Sequence, residues 1–170
     1  MFQEVISNSI RFVVAIALQV FILNELRLGG YINPWFYVYF ILMLPLQTPG
    51  WLLLSLGFIT GIIIDAFSNT YGMHTIATLF IAFCRPGVLK FLSPREGYEF
   101  GARPTIDFFG IPWFFAYSGI LVLLHHTLLF YIEVFRLSEF FYTLLRVILS
   151  SLSTLILLFL AQYLAFRKKE

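Results

Sequence analysis

Charge is scarce in this sequence. Asp, Glu, Lys and Arg make up 12% of the 170 residues, about half the share found in soluble domains. The deficit excludes a water-solvated globular surface, and a formal net charge of +2 is too small to imply a nucleic-acid partner. Cysteine is nearly absent: Cys84 stands alone, cannot form an internal disulfide, and lies in an apolar run where a packed thiol is expected. Long polar stretches are missing as well. The one extended loop, 85–111, carries Pro94, Gly97, Gly101 and Pro104 and is too short to fold as a domain. No soluble domain is expected at either end, and 1–170 reads as a single integral membrane domain.

What the chain has is apolar length. Its hydrophobic fraction is 60%, against about 45–50% in soluble proteins. Each of the segments Ile6–Leu23, Tyr31–Leu46, Gly50–Phe67, Tyr71–Cys84, Pro112–Tyr131 and Phe140–Phe166 approaches the roughly 20 residues that a bilayer core requires. They predict an all-α polytopic membrane helical bundle of about six transmembrane helices. The second and fourth are short. Asn33-Pro34 and Pro49-Gly50 open the second and third, where proline interrupts no helical ladder. Arg85-Pro86-Gly87 is expected to end the fourth, with Val88 to Leu92 as an interfacial turn, and Ser138 to cap the last. The apolar run after Arg11 has the look of a signal peptide. Its Ala15 and Ala17 sit inside the run and not behind it, so the first segment is expected to remain as a helix.

Lys and Arg set the expected orientation. The termini and the long loop collect Arg11, Arg85, Lys90, Arg95, Arg103, Arg167, Lys168 and Lys169, whereas the opposite side has Arg27 and Arg136, and Arg146 falls within a span. Both termini are therefore expected in the cytoplasm. Trp35, Trp51 and Trp113 fall at span entrances, as interfacial aromatics should.

Against this apolar background a few polar residues stand out. Gly57, Gly61 and Asp65 recur at four-residue spacing in the third span, so one helical face admits a close neighbour and then presents a carboxylate at membrane depth. An ionisable group there costs about 2.5–3.5 kcal/mol and calls for a partner. Arg146, on a stripe with Ser150, Ser153 and Thr154, is the best candidate for an ion pair with Asp65. His74, His125, His126 and Glu133, with Gln19, Asn24 and Glu25, make the outer half of the bundle polar. They either satisfy one another and hold helix register or line a pocket open to the outside. His125-His126 lacks the i, i+4 spacing and adjacent Glu of a zinc helix, and neighbouring histidines on a helix diverge by about 100°, so no metal or other cofactor is expected. No nucleophile turn and no phosphate loop is present, which argues against an enzyme, an intramembrane one included.

The stretch GFITGIIIDAFSNTYGMHTI resembles the hallmark segment of the bacterial rod shape-determining MreD family, a Gly-x-x-x-Asp followed by Gly and a short apolar helix. Gly61, Asp65 and Gly72 stand at those positions, with His74 just beyond; Gly72 is expected to join Gly57 and Gly61 in helix packing, and LLHHTLLFYIEVF is similar to the fifth helix of some members. Length, compact spans and the basic C-terminal tail agree. The resemblance implies a non-enzymatic scaffold of the cell-wall elongation machinery in the bacterial cytoplasmic membrane. It would bind MreC and help couple the MreB cytoskeleton to peptidoglycan synthesis by RodA and its penicillin-binding partner; whether a second copy of the chain is a further partner, a homodimer, is left open by the sequence. It also implies a fold like the substrate-binding subunits of energy-coupling factor transporters. Those vitamin-capturing subunits are the alternative reading, but they usually carry an Ala-x-x-x-Ala docking face in the first helix, and this chain has Ala15 and Ala17 in FVVAIALQV.

Overall fold

Helices follow the apolar runs, with one exception at the centre. The computed structural model describes residues 2–26, 31–99, 101–135 and 137–167, and it is an all-α membrane bundle with no strand among those residues. Arg27, Arg136, Lys168 and Lys169, used above for orientation, lie outside the described residues. The helices are α1 (Phe2–Phe21), α2 (Val38–Leu42), α3 (Gly50–Ser68), α4 (Met73–Phe91), α5 (Ile106–Val134) and α6 (Phe140–Arg167). Ser138 lies within a 3-10 turn, Leu137–Glu139, that leads into α6. Four stretches, Gln3–Glu25, Gly50–Ser68, Ile106–Val134 and Phe140–Ala165, are long and apolar enough to cross a membrane.

The second expected span is the exception. Only Val38–Leu42, 5 residues, is α-helical, yet no residue from 36 to 44 is more than 8% exposed. Pro34 and Pro45 bracket the run: each lacks an N–H and biases the residue before it away from helix. The result is a short helix with irregular flanks, buried at the centre of the bundle against α1, α3, α4 and α5, with Gln162 of α6 donating to Tyr39 Oη at 2.9 Å. Such backbone is tolerated at membrane depth only where protein buries it and supplies its hydrogen bonds.

The fourth span also differs from expectation. Arg85-Pro86-Gly87 does not end it; α4 runs on through Pro86 to Phe91. The proline removes one backbone bond, while the last carbonyls find side chains, Tyr98 Oη donating to Leu89 at 2.7 Å and Trp113 Nε1 to Leu92 at 3.0 Å. In α5 the backbone breaks at Gly110 (φ 79, ψ 170), so the long apolar part begins beside Pro112, near the expected start.

Among the described residues, the start of α1 and the end of α6 share one end of the bundle with the loop between α4 and α5. Glu4 pairs with Arg103 at 3.7 Å, and Gln162 Oε1 accepts the Ile106 N–H at 3.4 Å. The α3–α4 turn lies at the far end.

Candidate functional site

The α3–α4 hairpin is built around its glycines and Asp65. A Cβ on Gly57 would stand 3.1 Å from Ala82 Cβ, and one on Gly61 would run into the Thr75 backbone, 2.9 Å from its nitrogen. Only glycine admits α4 this closely at Gly61. The turn that follows uses Asn69 (φ 53) and Gly72 (φ 86), both left-handed. Gly72, expected on the packing face, has open space around its Cβ position and serves the turn instead.

Asp65 stands one turn beyond Gly61 and is 6% exposed. Its Oδ1 accepts the His74 N–H at 3.0 Å and Thr70 Oγ1 at 2.5 Å; its Oδ2 accepts the Thr75 N–H at 2.9 Å and Thr75 Oγ1 at 2.6 Å. The first N–H groups of a helix have no partner within it and carry a positive dipole end. Gly72, at the N-cap of α4, has no side chain to serve them. Asp65 therefore caps α4 from the preceding helix.

That geometry corrects the expected ion pair. Asp65 is occupied by α4, and no salt bridge joins it to Arg146. Arg146 Nη2 instead meets Glu133 Oε2 at 3.3 Å, while its guanidinium lies 4.5 Å from the Phe130 ring centroid. Position i+7 places Glu133 along the α5 face of His126, but its carboxylate goes to α6 and not to the histidine. The reason is proximity within the α5–α6 hairpin, where the two side chains approach from consecutive helices.

The central segment owes its backbone hydrogen bonds to side chains of its neighbours. At its start Ser150 Oγ accepts the Asn33 N–H and Thr154 Oγ1 the Trp35 N–H, both at 3.0 Å. Gln19 Oε1 accepts the Phe36 N–H at 2.7 Å, and its Nε2 donates to the Pro34 carbonyl and to Asn24 Oδ1. At its other end Tyr117 Oη donates to the Leu42 carbonyl at 2.8 Å and Arg11 to that of Met43 at 3.2 Å. Arg85, 1% exposed, donates to the Leu44 carbonyl and, through Nε, to Tyr117 Oη at 2.7 Å. Two cations thus sit at the carbonyl end of α2, where its dipole is negative.

Between these ends lies a buried polar cluster. Tyr37 Oη is 2.7 Å from His125 Nε2, 3.1 Å from His74 Nδ1 and 3.3 Å from Thr78 Oγ1, and none of the four residues is more than 2% exposed. His126 turns away from His125: Nδ1 meets the Val122 carbonyl at 2.9 Å and Nε2 meets Thr154 Oγ1 at 3.1 Å. Among the described residues no group of His, Cys, Asp and Glu is arranged to hold a metal ion. At the far end a cleft of about 310 Å³ opens between the end of α1, residues 33–35 and the end of α3, lined by Gln19, Asn24, Glu25, Asn33, Trp35 and Ser68 among others.

The structure thus brings Asp65, His74, His125 and His126 into the interior on hydrogen-bond partners, and leaves Glu133 and Arg146 as a separate pair. Sequence reasoning missed Tyr37, Arg85 and Tyr117. A signal existed for Arg85, which shares with Thr78 and Ile81 the helical face that turns inward, at i−7 and i−4. Comparison with known protein families, with curated proteins and with solved structures finds no match for this chain.

Proposed function

We propose that this chain is a non-enzymatic scaffold of the cell-wall elongation machinery, seated in a bacterial cytoplasmic membrane with both termini inside. It binds MreC and helps couple MreB to peptidoglycan synthesis by RodA and its penicillin-binding partner. The observation that carries this reading is that the segment resembling the MreD hallmark acts as one unit. Gly61 admits α4, Asp65 caps it, and Gly72 turns the chain between them. A signature whose residues cooperate in one hairpin is stronger support than the same letters scattered over a helix. The interior agrees with a part that works by offering a fixed surface, since its ionisable side chains hold backbone or one another.

Depletion in a rod-shaped host tests the reading. Cells should round or widen and wall synthesis should disperse, because a scaffold acts by placing its partners. The far-end cleft favours a second reading, a vitamin-capturing transport subunit; normal shape with lost vitamin uptake would decide for it. Reporter fusions after Glu170 and within 95–103 test orientation: only cytoplasmic reporters should be active.

A further inference from the structure

The Tyr37 cluster has a definite arrangement of protons. The Val122 carbonyl can only accept, so His126 carries its proton on Nδ1, and Nε2 accepts from Thr154 Oγ1, which itself accepts the Trp35 N–H. His125 Nδ1 is buried with no partner. An orphaned N–H is the costlier state there, so His125 carries its proton on Nε2 and donates it to Tyr37 Oη. The Tyr37 hydroxyl then donates to His74 Nδ1, while Thr78 donates to the His74 carbonyl at 2.7 Å.

A further proton has unequal effects at the three rings. On His125 it creates an N–H with nothing to accept it. On His126 Nε2 it turns Thr154 Oγ1 into the acceptor of two donors and displaces the Thr154 proton from its partner. On His74 Nδ1 it leaves no donor without an acceptor. Tyr37 Oη accepts from both histidines, and its own proton swings to Thr78 Oγ1, 3.3 Å away. Thr78 keeps its bond to the His74 carbonyl. We infer that His74 is a proton-binding site inside the bundle, with the Tyr37 hydroxyl as a rotor that moves from His74 to Thr78 and Asp65 as the counter-charge.

The surrounding charges fit. From α3, Asp65 accepts the backbone N–H of His74 itself. From α5, His125 faces Tyr37 as a neutral ring, with His126 beyond it. From α6, Thr154 serves His126, and Arg146 is held by Glu133. His74 lies in the first turn of α4 at the far end, with the Trp35 ring centroid 4.3 Å away and Trp35 lining the far-end cleft. The proton therefore comes from the far-end aqueous phase, and it changes the charge of the α3–α4 hairpin without unpairing any group.

The test is nitrogen-15 NMR of the full-length, histidine-labelled protein in lipid nanodiscs, titrated from alkaline to acidic pH. In the neutral state His74 and His125 should be protonated on Nε2 and His126 on Nδ1, and His74 should titrate first. Thr78→Val removes the acceptor for the rotated hydroxyl and should lower the proton affinity of His74 about tenfold, the cost of leaving a buried O–H donor without an acceptor. Thr78→Ser keeps the acceptor and should leave it unchanged. First titration at His125 or His126 overturns the inference. So does a His74 that stays neutral until the fold is lost, or a Thr78→Val protein that titrates like its parent.

Discussion

The carboxylate of Asp65 holds Thr75 by both its backbone N–H, at 2.9 Å, and its hydroxyl, at 2.6 Å. This pair of hydrogen bonds across the α3–α4 hairpin supplies the partner that a charge at membrane depth demands. Its charge faces the positive end of the α4 dipole in place of a cation.

Asp65→Ala should therefore destabilise the protein by about 2–4 kcal/mol, since it strands buried donors at a helix start as well as losing the cap. Asp65→Asn should cost less. Coupling should appear in a double-mutant cycle on thermal unfolding in detergent between Asp65→Ala and Thr75→Val. With Arg146→Ala the losses should add.

The two packing glycines should differ. Gly61→Ala places a methyl group on the Thr75 backbone and should lower the melting temperature far more than Gly57→Ala, which meets the Ala82 methyl at 3.1 Å. Gly72→Ala has open space but a φ of 86, so only backbone strain applies, about 1 kcal/mol. Equal losses at 57 and 61 would contradict the close crossing.

Gln19 holds the start of the central segment through both ends of its amide. Gln19→Leu should cost about 2–3 kcal/mol and speed hydrogen exchange at Phe36 and Tyr37, because those N–H groups lose their acceptor. Unchanged exchange there would place the anchor elsewhere.

Arg85→Lys should not restore what Arg85→Met loses. The guanidinium reaches Tyr117 Oη and the Leu44 carbonyl at once, whereas an ammonium offers a single point. Thermal unfolding of both variants checks this; full rescue by lysine would show that charge alone suffices.

Much of the bundle was legible because bilayer thickness fixes helix length: α1, α3 and α6 and the long part of α5 lie where apolar runs place them. The Tyr31–Leu46 run was not. Its composition suits a span, but Pro34 and Pro45 leave only Val38–Leu42 helical, and the side chains that stabilise the flanks, Gln19, Ser150 and Arg85, lie far off in sequence. For the same reason Asp65 was recognisable as needing a partner, while the partner's identity depended on a turn. Asn69 and Gly72 bring the start of α4 back onto the carboxylate, at a distance that no spacing rule encodes.

The central claim is that the chain works by holding partners. Native mass spectrometry of the full-length protein, co-expressed with MreC and released gently from membranes, tests it most directly. The account predicts a complex containing both proteins, weakened by Gly61→Leu, which drives α3 from α4. A chain that emerges without MreC and carries a bound vitamin would contradict it.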